Sequence, residues 1–353
     1  MPDPESRMKD YLQKIAAGPR LSKDLSEEEA QDALGLILDD RVSKIRAGVF
    51  LIAARMKLET VPENIGYWRA LQNRVVPITV DLDQLLQIAD PFDGFRRIPY
   101  FGFYTLPVIA QLGLPVYGHS ALPLPPKFGI TFEQILQDHY GVKEPRLALL
   151  EKYSFTYLST ANTLPQLESL RSLRTEIVKR PMLATLEKIL MPVKARKNIL
   201  ATTYFHRGYE IALTEIAKLS EFDKVIIGNG MEGTTLFGVH KETKVFIQEK
   251  TTEQKNLSLK TLYNEETAQR IAEAHEELKT IESNPGTLAE MGENALKTGK
   301  GPASLQIASQ AGTLTHLSGL FATAQEGFDH ALTTLKSGTA YNSFMQWVKE
   351  AKH

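Results

Sequence analysis

The chain contains no cysteine, which excludes disulfides, thiolate metal sites and cysteine nucleophiles while leaving the compartment open. No apolar run approaches the length of a membrane span, and the opening residues lack the basic-then-apolar pattern of a secretion signal; both absences lead us to expect a cytoplasmic protein with no membrane partner. Charge of either sign is not in excess: the formal net charge is -1 over 353 residues, so global electrostatics points to no partner. Also missing are a GxSxG elbow, a Walker loop, a zincin helix and a Rossmann glycine run, which removes the standard hydrolase and nucleotide-cofactor classes. No internal repeat or low-complexity tract is visible.

What is there is an ordinary globular composition, 42% hydrophobic and 24% charged, in a chain longer than one core usually serves. The first seventy or so residues read as consecutive helices, because Leu36, Ile37, Ile45, Val49, Phe50, Ile52 and Ala53 recur at helical spacing. Ser26-Glu27-Glu28-Glu29 forms a capping box, and Pro62 falls in a first helical turn. From about Val75 the texture changes to short apolar runs alternating with helical patterns, the mark of β-α units around a mainly parallel sheet. Strands are expected at 85–89, 114–117, 155–158, 199–203, 224–227 and 245–248, with helices at 103–112, 131–139 and 209–220. The interval from Leu164 to Leu190 interrupts the alternation with two helical patterns, and the stretch from Glu265 onward is helical again. The expected division is a helical domain of residues 1–74 completed by about 161–192, and an α/β domain of 75–160 and 193–353.

Four segments carry residues capable of chemistry. Asp90-Pro91-Phe92-Asp93-Gly94 follows a strand and precedes a helix, where α/β folds bind anions. Pro91 lacks an N–H and Phe92 adds bulk, so the turn is a poor phosphate cradle; Arg96 and Arg97 are either side-chain ligands for a phosphate or, as we favour, solvated. The segment 118–129 carries His119, eligible as acid, base or ligand, with no second histidine at metal-ligand spacing, and Lys127, placed to meet a phosphate or the solvent. Gly228-Asn229-Gly230-Met231-Glu232-Gly233 is a glycine-rich turn whose one carboxylate, Glu232, makes no strong Mg²⁺ site alone. Last, Arg171, Arg174, Lys179, Arg180, Lys188, Lys194, Arg196 and Lys197 stand against only Glu176 and Glu187, a local net of +6. Such a patch neutralises nucleic-acid phosphates by counterion release, unless its members are a solvated face or are taken up in internal ion pairs. It has no aromatic residues for stacking bases.

These pieces, taken in order, resemble the anthranilate phosphoribosyltransferases. The resemblance begins with Asp24–Ala30 and Arg46–Thr60 and runs on through the chain. It implies an N-terminal helical domain, a C-terminal α/β domain of the nucleoside phosphorylase and phosphoribosyltransferase type, and a homodimer through the helical domains. In active members a GTGGD loop binds the diphosphate of phosphoribosyl diphosphate, a KHGN segment and a serine-rich loop extend that site, and an Asp-Glu pair binds Mg²⁺. Here those segments are Ala89-Asp90-Pro91-Phe92-Asp93, Gly118-His119-Ser120-Ala121, Pro125-Pro126-Lys127-Phe128-Gly129 and Thr235-Leu236, and the arginine that contacts anthranilate falls near Arg174. Losing most groups that neutralise a departing diphosphate should abolish turnover. The departures resemble the non-biosynthetic branch typified by the YbiB protein, associated with nucleic-acid binding, with which the chain shares Asn73, the Asp93-Gly94 turn, the lone histidine after Leu114-Pro115-Val116, and Met231-Glu232-Gly233. The leading expectation is therefore a non-catalytic, cofactor-free homodimer that binds nucleic-acid backbone through Arg171, Arg174, Lys179, Arg180, Lys194, Arg196 and Lys197. In it Asp93, Gly94, His119, Lys127 and Glu232 are a remnant donor site. The alternatives are a phosphoribosyltransferase for anthranilate or another aromatic acceptor, using Mg²⁺ and those survivors, and a protein-binding scaffold.

Overall fold

The computed structural model describes residues 3–18, 20–144 and 146–352. It opens with four helices, α1 (Pro4–Ile15), α2 (Glu27–Leu38), α3 (Lys44–Lys57) and α4 (Val61–Gln72). Their starts are fixed by side chains, as the sequence predicts: the Ser26 hydroxyl accepts the Glu29 N–H while Glu29 reaches back to the Ser26 N–H. Thr60 and Glu63 repeat the device at α4, with Pro62 in the first turn. Glu63 is fully buried because it has further work there, accepting the Leu25 N–H at 2.9 Å and pairing with Lys57 at 2.8 Å.

The strands are β1 (Ile78–Thr79), β2 (Leu85–Ala89), β3 (Val116–Ser120), β4 (Phe155–Ser159), β5 (Val193–Lys194), β6 (Asn198–Thr203), β7 (Lys224–Gly228), β8 (Thr243–Gln248) and β9 (Thr252–Leu257). Seven form one sheet in the order β4-β3-β2-β6-β7-β8-β9, parallel from β4 to β7 and antiparallel beyond; β1 and β5 pair separately. Each parallel strand of the seven-stranded sheet is buried on both faces, as crossovers require. Ile199, Ala201 and Ile226 face the core shared with α5 (Gly102–Gln111) and the C-terminal helices, while Leu200, Val225 and Ile227 face the core shared with the helical domain. The helical-domain core also takes in Leu164, Leu167, Leu170, Leu173, Met182, Leu183 and Leu186. Leu167, Leu173, Leu183 and Leu186 sit on short helical turns at Pro165–Glu168, Arg171–Glu176 and Leu183–Leu186, and Leu164, Leu170 and Met182 immediately precede them, in place of two longer helices.

The second expected strand is displaced: β3 begins at Val116, because Pro115 has no N–H for the ladder. β9 went unforeseen, since an exposed edge strand such as Thr-Glu-Gln-Lys-Asn-Leu has no buried face to write an apolar pattern.

Candidate functional site

Between β2 and β6 the strand order reverses, so the chain leaving β2 and the chain leaving β6 splay apart and open a crevice at their carboxyl ends. Beneath the helical domain this crevice becomes a cavity of about 110 Å³, lined by Arg55, Asp93, Lys127, Arg180, Lys188, Phe205, His206, Tyr209 and Glu232 among others.

The turn after β2 is held from below. Asp90 is buried and accepts the Tyr100 hydroxyl at 2.7 Å and the Thr235 N–H at 2.6 Å, while Gln310 donates to both the Tyr100 and Thr235 oxygens. Burial pushes the Asp90 carboxyl up from its ordinary value, against the hydrogen bonds that favour its charged form. Gly94 has φ +75°, and a Cβ there would lie 2.4 Å from the Gly129 backbone. Only glycine lets this turn meet the loop that carries Lys127, so Gly94, expected as part of a remnant donor site, instead permits a close approach of two backbones.

That meeting brings Lys127 between two acids. Its Nζ lies 4.0 Å from Asp93, 3.9 Å from Glu232, and donates to the Gly94 carbonyl at 2.5 Å. Asp93 also bonds Arg180. Glu232 accepts the N–H groups of Arg96, Arg97 and Ile98 at 3.1, 2.7 and 3.2 Å. Burial pushes the Lys127 ammonium below its ordinary pKa, with Asp93 and Glu232 pulling the other way. Deeper still, Lys188 donates to the Thr203 carbonyl at 2.5 Å and hydroxyl at 2.9 Å, and burial lowers its pKa to about 8.

Of the residues the sequence picks out for a donor site, Asp93, Lys127 and Glu232 line the cavity, and His119 does not. His119 is buried with its ring edge-on to Phe92 at 5.2 Å and its Nε2 3.2 Å from the Thr163 hydroxyl. Burial drives its pKa to about 3, so it is a neutral core residue at neutral pH, the outcome of placing a histidine on a strand buried on both faces.

The cationic interval does not form one patch. Arg174 is 2% exposed and holds Glu187 in two hydrogen bonds of 2.7 and 3.0 Å. Arg171 is bound to Glu168 and the Pro123 carbonyl, Lys194 pairs with Glu221, and Arg196 pairs with Asp81 and Asp83. Arg174 is corrected as a phosphate ligand because it is buried; Arg171, Lys194 and Arg196 are partly or well exposed but already paired, Arg171 with Glu168 three residues before it and the other two with carboxylates remote in the sequence. Lys179 and Lys197 are exposed and have no carboxylate partner among the described residues, and Arg180 faces the cavity. Sequence reasoning missed Arg55, whose guanidinium lies 5.9 Å from the Tyr209 ring centroid, and the whole Phe205-His206-Arg207-Gly208 loop. The signal for that loop was its position, between a parallel strand and the helix Tyr209–Leu219.

Among the described residues there is no group of three or more metal-ligating side chains, and no helix is long and apolar enough to cross a membrane. Residues 9–75 match the model of the "glycosyl transferase family, helical bundle domain". An uncharacterized protein of Aquifex aeolicus is 29% identical over 228 residues, 65% of this chain and 66% of that relative. The anthranilate phosphoribosyltransferase of Petrotoga mobilis is 32% identical over 76 residues, 22% of this chain and 21% of the enzyme. The curated relatives are thus matched over less than two thirds of their own length. The structure of the Saccharomyces cerevisiae anthranilate phosphoribosyltransferase in complex with PRPP and Mg superposes with a TM-score of 0.76 at 18% identity, covering 98% of each chain. The chain therefore carries the helical-bundle domain of the glycosyl transferase family at its start and has, over its whole length, the fold of the anthranilate phosphoribosyltransferases.

Proposed function

We propose that this protein is a non-biosynthetic relative of the anthranilate phosphoribosyltransferases, of the branch typified by the YbiB protein. In this reading it is a cytoplasmic homodimer that transfers no phosphoribosyl group and binds the phosphate backbone of nucleic acid across the mouth of the crevice between β2 and β6. One observation carries it: the two acids left at the donor site are already committed to protein partners. Asp93 holds Arg180 and faces Lys127, and Glu232 faces the same Lys127 while both its oxygens accept backbone N–H groups. A divalent ion held by these carboxylates would have to displace an ammonium and three amides, so the residues do not fit Mg²⁺ and no transfer step is derived through it.

The binding surface differs from the one the sequence suggested. Four exposed cations lie on the segments that build the cavity wall: Arg96 and Arg97, whose amides bond Glu232, Lys179, next to Arg180, and Arg207, next to His206; none has a carboxylate partner among the described residues. Dimerisation through the helical domain is supported by α3, where Ile45, Val49 and Met56 are 80%, 48% and 73% exposed and fall on one stripe.

Fluorescence anisotropy with labelled single- and double-stranded oligonucleotides at two salt concentrations tests the binding. Affinity should fall steeply with salt, and replacing Arg97, Lys179 and Arg207 by Ala together should flatten that dependence. Binding absent at low salt, or indifferent to salt, would reject the reading; so would anthranilate-dependent consumption of phosphoribosyl diphosphate by the pure protein.

A further inference from the structure

The turn after β7 holds one carboxylate in place through an unfavourable backbone. Glu232 has φ +49° and ψ +21°, the left-handed region that is unfavourable for a non-glycine residue. Its side chain is only 10% exposed, and both oxygens are engaged by consecutive amides: Oε2 accepts the Arg96 N–H, and Oε1 accepts those of Arg97 and Ile98. Successive N–H groups converging on one point form a concave nest, an arrangement that binds phosphate and related oxyanions. The nest has a cationic surround, with the Lys127 ammonium 3.9 Å from the carboxylate and the exposed Arg96 and Arg97 side chains rising from its own backbone. A carboxylate offers the amides the same kind of charged oxygen acceptor that a phosphate offers, so hydrogen bonding alone does not separate the two.

We propose that residues 96–98 form an oxyanion site that the chain keeps filled with its own Glu232, an autoinhibitory occupant that a phosphate-bearing ligand must displace. Tethering gives the internal carboxylate an effective concentration of millimolar order or above, so free phosphate competes poorly while Glu232 is in place. Removal of the side chain leaves the amides empty and Lys127 with one acid fewer. The inference concerns a small oxyanion and stands apart from the nucleic-acid reading, which the salt titration of the unmodified protein decides separately.

Two substitutions distinguish occupancy from charge. Glu232→Gly empties the nest and removes the positive-φ strain at the cost of three hydrogen bonds, so its urea midpoint is measured beside that of the parent. Glu232→Gln removes the charge but leaves an amide oxygen that still accepts from the nest. Inorganic phosphate titrated into each protein by calorimetry should bind E232G at least tenfold more tightly than the parent, with E232Q gaining clearly less, and the amide resonances of Arg96, Arg97 and Ile98 should move with phosphate in E232G. No gain in E232G would overturn the proposal. An equal gain in E232G and E232Q would overturn it too, by tracing the effect to charge alone.

Discussion

Arg174 and Arg180 lie six residues apart, and each holds a carboxylate, yet the two pairs have different surroundings. Arg174 meets Glu187 inside the helical-domain core, both side chains 2% exposed or less, in a parallel two-bond fork. Arg180 meets Asp93 at the wall of a cavity, 29% exposed, with Lys127 on the other side of the same acid. The enclosed pair holds the segment to the core; the open pair leaves one cation within reach of anything that enters the crevice. Counting charges along the sequence gives both arginines equal weight, and burial gives them different tasks.

The contrast is sharpest in stability. Arg174→Ala strands Glu187 in a buried site and should cost about 3–5 kcal/mol, read as a lower urea midpoint. Arg180→Ala, which leaves Asp93 with Lys127, should cost clearly less. If R180A is the more damaging of the two, the assignment of structural and open pairs is reversed. Replacing Arg174 with Met and Glu187 with Leu together should recover most of the loss, because an apolar pair of similar volume needs no desolvation.

Acid should act through a different buried group. His119 has its folded pKa at about 3 against an ordinary value of 6.5, so between those limits the unfolded chain binds the extra proton and stability falls as pH drops. Lowering the pH from 7 to 5 should remove about 2 kcal/mol through this residue, and His119→Gln should flatten that part of the profile. Lys188 acts with the same sign on the alkaline side: with its pKa at about 8 instead of 10.5, the unfolded chain again holds the extra proton, and stability contributed by this group rises from pH 8 toward 10. Lys188→Met should remove that rise in a pH series of denaturant melts.

The smallest effect is expected at Arg196. Its side chain is 62% exposed and its partners Asp81 and Asp83 are more so, and exposed pairs of this kind contribute ~0.5 kcal/mol or less. Arg196→Ala should leave the urea midpoint nearly unmoved, and should not weaken oligonucleotide binding if the crevice mouth is the binding surface.

How much of this was legible depended on whether the signal was local. The cap at Ser26 is written within four residues and forms as expected, and Pro62 falls in a first helical turn as expected, behind a Thr60–Glu63 cap that the same spacing encodes. The parallel strands were visible because two buried faces make a continuous apolar run, as in Lys-Val-Ile-Ile-Gly of β7. Asp93, Lys127 and Glu232 were each picked out from turns that follow strands, and the three meet in one cavity. Arg55, on the opposite side of that cavity, was not picked out, since nothing near it in the sequence differs from a solvated arginine on a helix.

The sequence by itself determined most of the elements: helix starts through side chains three residues apart, and the central strands through runs of β-branched and aliphatic residues. Tertiary structure alone decided which charges remain available. An arginine or lysine advertises its charge in the sequence, but its availability depends on a carboxylate that arrives from elsewhere in the chain: Asp81 for Arg196, Glu221 for Lys194, Asp93 for Arg180. Ion pairing acts over a few ångströms of space whatever the distance along the backbone, so the electrostatics of this crevice exist only once the chain is folded.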